Sequence, residues 1–235
     1  MDALKIRIGS AGRIAGLIYL AMILTGTFSL GFAPKELFVS GDPAASWATI
    51  QAKETVFRLH LAAGFACYAL FVVLAIALRR VFVGVNDAVS MLMVGFVLVS
   101  VPIAYAALAG KMEILALLDR GAATDAVAIV EAGLDRYKTN IRMATVFWGL
   151  WLGPLAFLIL KSGRIPRILG AFLAFGCVGY LAKFFGPMVF PPFADMPISA
   201  YVTTPASIGE IGTCLWLLAF GAKGPGANDP QPDPA

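Results

Sequence analysis

Six stretches of this chain run for about the length of a bilayer crossing with scarcely a charge in them: residues 13–33, 55–78, 88–110, 139–160, 168–190 and 206–222. A helix needs about 20 mostly apolar residues to cross the hydrocarbon core. Backbone in lipid must also satisfy its own hydrogen bonds, which leaves helices or closed barrels. None of the six stretches shows the period-two alternation of a strand. The expected fold is therefore all-α, an integral membrane bundle of six transmembrane helices. Composition agrees: 14% of the residues are charged and 60% hydrophobic, with a mean hydropathy of +0.84, where a soluble domain carries about 25% charged residues. The last stretch is the shortest, and Gly186-Pro187 interrupts the fifth.

Orientation is set by the connecting segments, because Lys and Arg are retained on the cytoplasmic side. One set of segments carries nine basic residues (Lys5, Arg7, Arg13, Arg79, Arg80, Lys161, Arg164, Arg167, Lys223) against four acids. The opposite set carries six basic residues against nine acids. Both termini are thus expected in the cytoplasm, with the protein in a prokaryotic inner membrane. The net charge of +4 needs no nucleic-acid partner, since the cytoplasmic basic excess accounts for it. The first apolar run is longer than the h-region of a signal peptide, so an uncleaved first helix is expected.

Residues 1–222 read as one transmembrane domain and 223–235 as a disordered cytoplasmic tail rich in Pro and Gly. In the segment S-G-D-P-A-A-S-W, Asp42 is placed to cap a short helix whose first turn accepts Pro43. Residues 111–138 mix charges with Leu115, Leu118, Val127, Val130 and Leu134 at helical spacing, which predicts short amphipathic helices on the outer face.

Motifs exclude more than they assign. There is no P-loop, no G-x-G-x-x-G after a strand, no G-x-S-x-G and no H-E-x-x-H. Cys67, Cys177 and Cys214 fall within apolar runs without metal-ligand spacing, and a single histidine excludes bis-histidine haem ligation. No metal site is expected, no motif indicates a cofactor, and nothing in the sequence indicates an oligomer.

What remains is a set of polar side chains inside the spans, where charge is costly and usually has a partner or a task. They are Arg58, His60, Tyr105, Arg142, Tyr180, Lys183 and Glu210. Counted at about 1.5 Å per residue from the outer helix ends, Arg58, Arg142 and Glu210 lie roughly 5 Å deep and His60, Tyr105 and Lys183 roughly 10 Å, so these share one level. This predicts an outward-facing polar chamber. Its excess of positive charge would suit a small anionic amphiphile such as a lipid, fatty acid or quinone-like molecule, bound, sensed or transported there. Two other readings stand beside it. One is a membrane enzyme using His60 and Glu210 as acid–base groups, and the other is a structural or partner-stabilising subunit. In the structural reading Arg58 and Arg142 snorkel or pair, His60 is a hydrogen-bond strut, and Gly64, Gly95, Gly149, Gly153 and Gly176 let helices approach.

Several segments also carry a resemblance: G-R-I-A-G-L-I-Y-L (12–20), V-S-G-D-P-A-A (39–45), E-T-V-F-R-L (54–59), S-G-R-I-P-R-I-L-G (162–170) with G-Y-L (179–181), and G-E-I-G-T-C-L-W-L-L (209–218). In this order they resemble a bacterial and archaeal family of six-helix membrane proteins catalogued as a domain of unknown function, number four-three-eight-six. The resemblance implies architecture and brings no activity with it. It extends to Arg58 and Glu210, which favours those two as a pair. His60 and Trp151 depart from the family's usual pattern, Trp151 standing where members often show a histidine. In the matching turn, Gly163 and Pro166 are expected to force a tight cytoplasmic hairpin, with Arg164 and Arg167 anchoring it to the inner surface.

Overall fold

The computed structural model describes residues 2–121 and 125–223, with side chains from residue 8 onward. The expected tail, 223–235, lies outside the described residues but for Lys223. The described residues form helices joined by turns and short extended segments, and contain no strand. In order the helices are α1 (Asp2–Gly26), a π-helical turn (Thr27–Phe32), α2 (Ala33–Leu37), α3 (Pro43–Ala52), α4 (Glu54–Val81), α5 (Asp87–Asp119), α6 (Ala126–Leu150), α7 (Leu152–Ser162) and α8 (Arg167–Val189). After them come a 3₁₀ turn (Pro191–Asp195), α9 (Ile198–Tyr201) and α10 (Thr204–Phe220).

Five stretches, Ile8–Leu37, Glu54–Val81, Asp87–Asp119, Ala126–Ser162 and Arg167–Val189, are long and apolar enough to cross a membrane. They make this a multi-pass helical membrane protein. With 17 residues, α10 is about 25 Å long, a little short of the roughly 30 Å hydrocarbon core.

The sequence explains most of the boundaries. Asp42 caps α3 as expected, its Oδ1 accepting the Ala45 N–H at 2.8 Å, with Pro43 in the first turn. Lys53 separates α3 from α4. Pro154 has no N–H to offer the carbonyl of Leu150, and the long stretch Ala126–Ser162 is broken there into α6 and α7 around Trp151. Pro34 withholds a donor from Leu30 in the same way, next to the π-helical turn where the Ala33 N–H reaches back five residues to Phe28 O. The expected interruption at Gly186-Pro187 does not end the fifth span, because α8 carries on to Val189.

Two expectations need correction. Residues 111–138 do not form separate amphipathic helices on an outer face. Residues 111–119 are the C-terminal end of α5 and 126–138 the N-terminal half of α6; of the five apolar positions Val130 is buried, Leu115, Leu118 and Leu134 are half-buried and Val127 is exposed. No Pro or left-handed Gly stops α5 before Asp119, so charge alone is a poor stop signal. Arg164, expected at the inner surface, is 4% exposed. Its Nη1 donates to the carbonyls of Val81 at 2.6 Å and Val83 at 3.0 Å, just past the C-terminal end of α4. Carbonyls at a helix C-terminus lack intrahelical donors, and a buried guanidinium supplies them. The turn itself is the predicted one. Gly163 closes α7 at φ +61° with its N–H on Ile159 O, a left-handed position in which only glycine is unstrained, and Pro166 starts α8.

The chain divides into two compact units. One comprises Met1–Leu20, Phe71–Ser100 and Thr145–Ala235, the other Ala21–Leu70 and Val101–Ala144. In the first, α8 packs on α7 and on α10. Small residues make that possible: a methyl group at Gly176 would lie 2.6 Å from Ala206 Cα, and one at Gly209 2.8 Å from Leu173 Cγ. Helices in lipid associate through such close approaches rather than through a hydrophobic driving force. Of the glycines expected to do this, Gly64, Gly149 and Gly176 stand in tight contact, Gly153 in ordinary contact, and Gly95 faces open space.

Candidate functional site

In the second unit, the π-helical turn, α4, α5 and α6 converge on two buried basic side chains. His60 lies on the buried stripe of α4 with Phe57, Leu61, Cys67 and Tyr68. Lys111 lies on that of α5 with Ala104, Ala107, Leu108, Ile114 and Leu117. Both are 0% exposed, and Lys111 Nζ is 2.8 Å from His60 Nε2. When Lys111 is an ammonium it can only donate, and Nε2 is then the acceptor with the ring proton on Nδ1. That Nδ1 is buried and has no hydrogen-bond partner among the described residues.

Backbone contacts fix the geometry. A methyl group at Gly110 would lie 2.7 Å from Gly133 O, and one at Gly133 2.7 Å from Gly110 O, so α5 and α6 touch main chain to main chain beside Lys111. One turn further along α6, Tyr137 presents its ring to Lys111, the centroid 3.3 Å from Nζ. Phe38 closes another side at 4.9 Å and meets the His60 ring edge-on, while Phe57 lies 6.3 Å from that ring. Ser29, in the π-helical turn, donates its hydroxyl to His60 O at 3.1 Å, and Gly64 leaves room for that hydroxyl. Among the described residues no carboxylate comes within 4.0 Å of Lys111 Nζ. A buried cation normally has an acidic partner. Here an imidazole and aromatic faces take its place.

Exposed ion pairs join the helix ends of the same unit. Lys53 pairs with Glu36 at 2.6 Å and Arg136 with Glu113 at 2.6 Å. Arg58 pairs with Glu54 at 2.7 Å and also with Asp119. Arg58, placed in the chamber by its depth, is thus exposed and held by two acids. Tyr105 donates its hydroxyl to Phe65 O at 3.2 Å and packs edge-on against Phe65 and Tyr68. Arg142 is exposed on α6.

The other three expected residues belong to the first unit. Glu210, on α10, accepts a hydrogen bond from Tyr19 Oη at 3.4 Å. Tyr180 lies within electrostatic reach of both Glu210 and Tyr19 and packs on Gly149. Tyr19 meets Trp151 edge-on at 6.4 Å, and Trp151 meets Phe71 at 4.9 Å. Lys183 is exposed on α8. Of the seven expected residues, Arg58, His60, Tyr105 and Arg142 belong to the second unit and Tyr180, Lys183 and Glu210 to the first. No group of three or more His, Cys, Asp or Glu suited to a metal ion occurs among the described residues.

The family model described as Domain of unknown function (DUF4386) matches residues 14–221. The chain belongs to that family. No curated protein and no solved structure matches it. The DUF4386 match spans both groups, from Tyr19 to Glu210.

Depth counting missed Lys111, Tyr137 and Tyr19. Lys111 had a signal available: positions 104, 107, 108, 111, 114 and 117 repeat at helical spacing, so the lysine interrupts an otherwise apolar stripe. Ending the span at residue 110 hid it.

Proposed function

We propose that this DUF4386 protein binds a small amphiphile with an anionic or carbonyl head, of the lipid, fatty-acid or quinone-like class, as a binding, sensing or transport module. The observation that carries the reading is the Lys111–His60 pair. A basic pair buried within spans, with no carboxylate within 4.0 Å and no partner for His60 Nδ1 among the described residues, has unused capacity for a polar head group, and ionisable groups inside spans are functional candidates by default. Phe38, Phe57 and Tyr137 supply the apolar walls a binding site uses. Lys111 and His60 take the head-group role here. Arg142 and Lys183 are exposed, and Arg58 is engaged by acids.

In the same reading α10 is a sixth, short span, both termini are cytoplasmic, and the host is a prokaryotic inner membrane, as the segregation of basic residues suggests. The structural alternative is favoured by one observation, the closeness of Tyr137 to Nζ, which already gives the cation a partner. The acid–base enzyme has less in its favour, since His60 faces Lys111 and Glu210 faces Tyr19.

The test is native mass spectrometry of protein released from detergent micelles after titration with palmitate, with hexadecanol as the uncharged, carbonyl-free control. Palmitate retention in wild type that drops about ten-fold in Lys111→Met, with Arg58→Gln unaffected, supports the reading; that ratio corresponds to about 1.4 kcal/mol. Equal retention of palmitate and hexadecanol, unchanged by Lys111→Met, sinks it.

A further inference from the structure

We infer that Lys111 is a carbonyl-reactive amine, which condenses reversibly with the aldehyde head of a long-chain amphiphile to give an imine. This deepens the proposed function and rests on it, because the head must first reach the Lys111–His60 pair. The groups around Nζ decide which head the site is equipped for. An anionic head held in a dry site normally collects several donors, a guanidinium fork or a set of backbone N–H groups. Around Lys111 Nζ the neighbours are His60 Nε2 and the ring faces of Tyr137 and Phe38. That is a thin shell for a carboxylate.

It is a complete one for carbonyl condensation. The reaction needs an amine nucleophile and a group that takes protons from nitrogen and returns them to oxygen. It also needs walls that keep water from reversing the reaction. A lysine desolvated in an apolar pocket is the usual Schiff-base former. His60 Nε2, at 2.8 Å, is within proton-transfer distance of Nζ. Its Nδ1, buried and without a partner among the described residues, is on the opposite edge of the ring from Nζ and takes no part in the step. Phe38, Phe57 and Tyr137 form the walls. Phe38 is the one of the three outside a helix, in extended backbone (φ −115°, ψ 124°) between α2 and α3.

The step balances without an oxidant or reductant. In its uncharged form Lys111 adds the Nζ lone pair to the aldehyde carbon, and His60 Nε2 carries the first of the two Nζ protons to the carbonyl oxygen. The resulting carbinolamine loses its hydroxyl as water, with His60 Nε2 carrying the second Nζ proton to the leaving oxygen. One C=N bond and one water replace one C=O bond and two N–H bonds, and hydrolysis reverses the sequence.

The experiment uses the full chain in phosphatidylcholine nanodiscs, hexadecanal as probe and sodium cyanoborohydride to reduce any imine to a stable amine, with peptide mapping as the readout. The expected result is one hexadecyl group per chain on Lys111, at least about ten-fold more than on the exposed Lys35, Lys53, Lys138 or Lys183 of the same molecules. Lys111→Arg, which keeps a cation in place, abolishes that label. His60→Gln slows it by about a hundred-fold, the scale of a lost acid–base group. Labelling confined to the exposed lysines, or spread evenly over all of them, overturns the inference. If palmitate retention depends on Lys111 while hexadecanal leaves no label there, the imine fails and the binding reading stands. If neither depends on Lys111, both fall.

Discussion

Lys111 Nζ and His60 Nε2 meet at 2.8 Å, both side chains fully buried, with aromatic rings where a carboxylate is customary. Each is the other's polar partner, and that makes the pair energetically unsymmetrical. Removing the histidine strands a cation, whereas removing the lysine leaves a neutral ring.

His60→Leu should therefore lower stability by about 2–4 kcal/mol, the range for depriving a buried charge of its hydrogen bond. Lys111→Met should cost less, and the double variant should fall within about 1 kcal/mol of Lys111→Met alone. Reversible unfolding in mixed micelles, monitored by tryptophan fluorescence, gives all four corners of the cycle. Strictly additive losses would show that the two side chains do not support one another.

The Gly110–Gly133 contact predicts a contrast within one residue type. Gly133→Ala places a methyl group against main chain that cannot yield and should cost about 1–3 kcal/mol. Gly95→Ala, which faces open space, should be neutral or stabilising by about 0.5–1 kcal/mol, since alanine loses less backbone entropy in a helix. Equal effects at the two positions in the same unfolding assay would argue against the close crossing of α5 and α6.

The two arginines of the 162–170 turn should behave differently. Arg164→Leu removes both donors to Val81 O and Val83 O and should cost about 2–4 kcal/mol. Arg167→Leu, at an exposed position, should stay within about 0.5 kcal/mol. Thermal denaturation of the two variants side by side decides the matter, and similar losses would return Arg164 to the surface.

Arg58 should couple to Asp119, weakly. A cycle of Arg58→Gln with Asp119→Asn should give about 0.2–1 kcal/mol, as exposed pairs do, and fade as salt is raised well above the physiological range. A coupling of several kcal/mol, or one insensitive to salt, would place Arg58 in a drier setting than its 43% side-chain exposure describes.

The helices are legible in the sequence because hydropathy reports the solvent around a segment, and bilayer thickness then dictates helix length. Asp42 with Pro43 and Gly163 with Pro166 are legible too, since those residue types act through their own local backbone. The candidate site is only partly so. His60 stands out as the one histidine, but its partner sits two residues from Glu113, in a stretch whose charges read as amphipathic helices on the outer face. Arg164 reads as a surface anchor because a sequence shows that a guanidinium is basic and not which carbonyls lack donors. Tyr19 looks like any aromatic residue of an apolar run. In each case the missing information is a contact between elements distant in the chain, such as Tyr19 with Glu210, which no local pattern encodes.

The π-helical turn at Thr27–Phe32 has a bearing on descent. Such a turn holds one residue more than the α-helical path it replaces, so a single-codon insertion is enough to create it and a single deletion to erase it. Everything on its N-terminal side would then rotate by about 100° about the helix axis relative to the C-terminal side, while both flanks kept their composition. Ser29, whose hydroxyl meets His60 O, lies inside that turn. Relatives lacking the extra residue would present a different side chain to the histidine, so gain or loss of one codon could re-tool the pocket while leaving the spans intact.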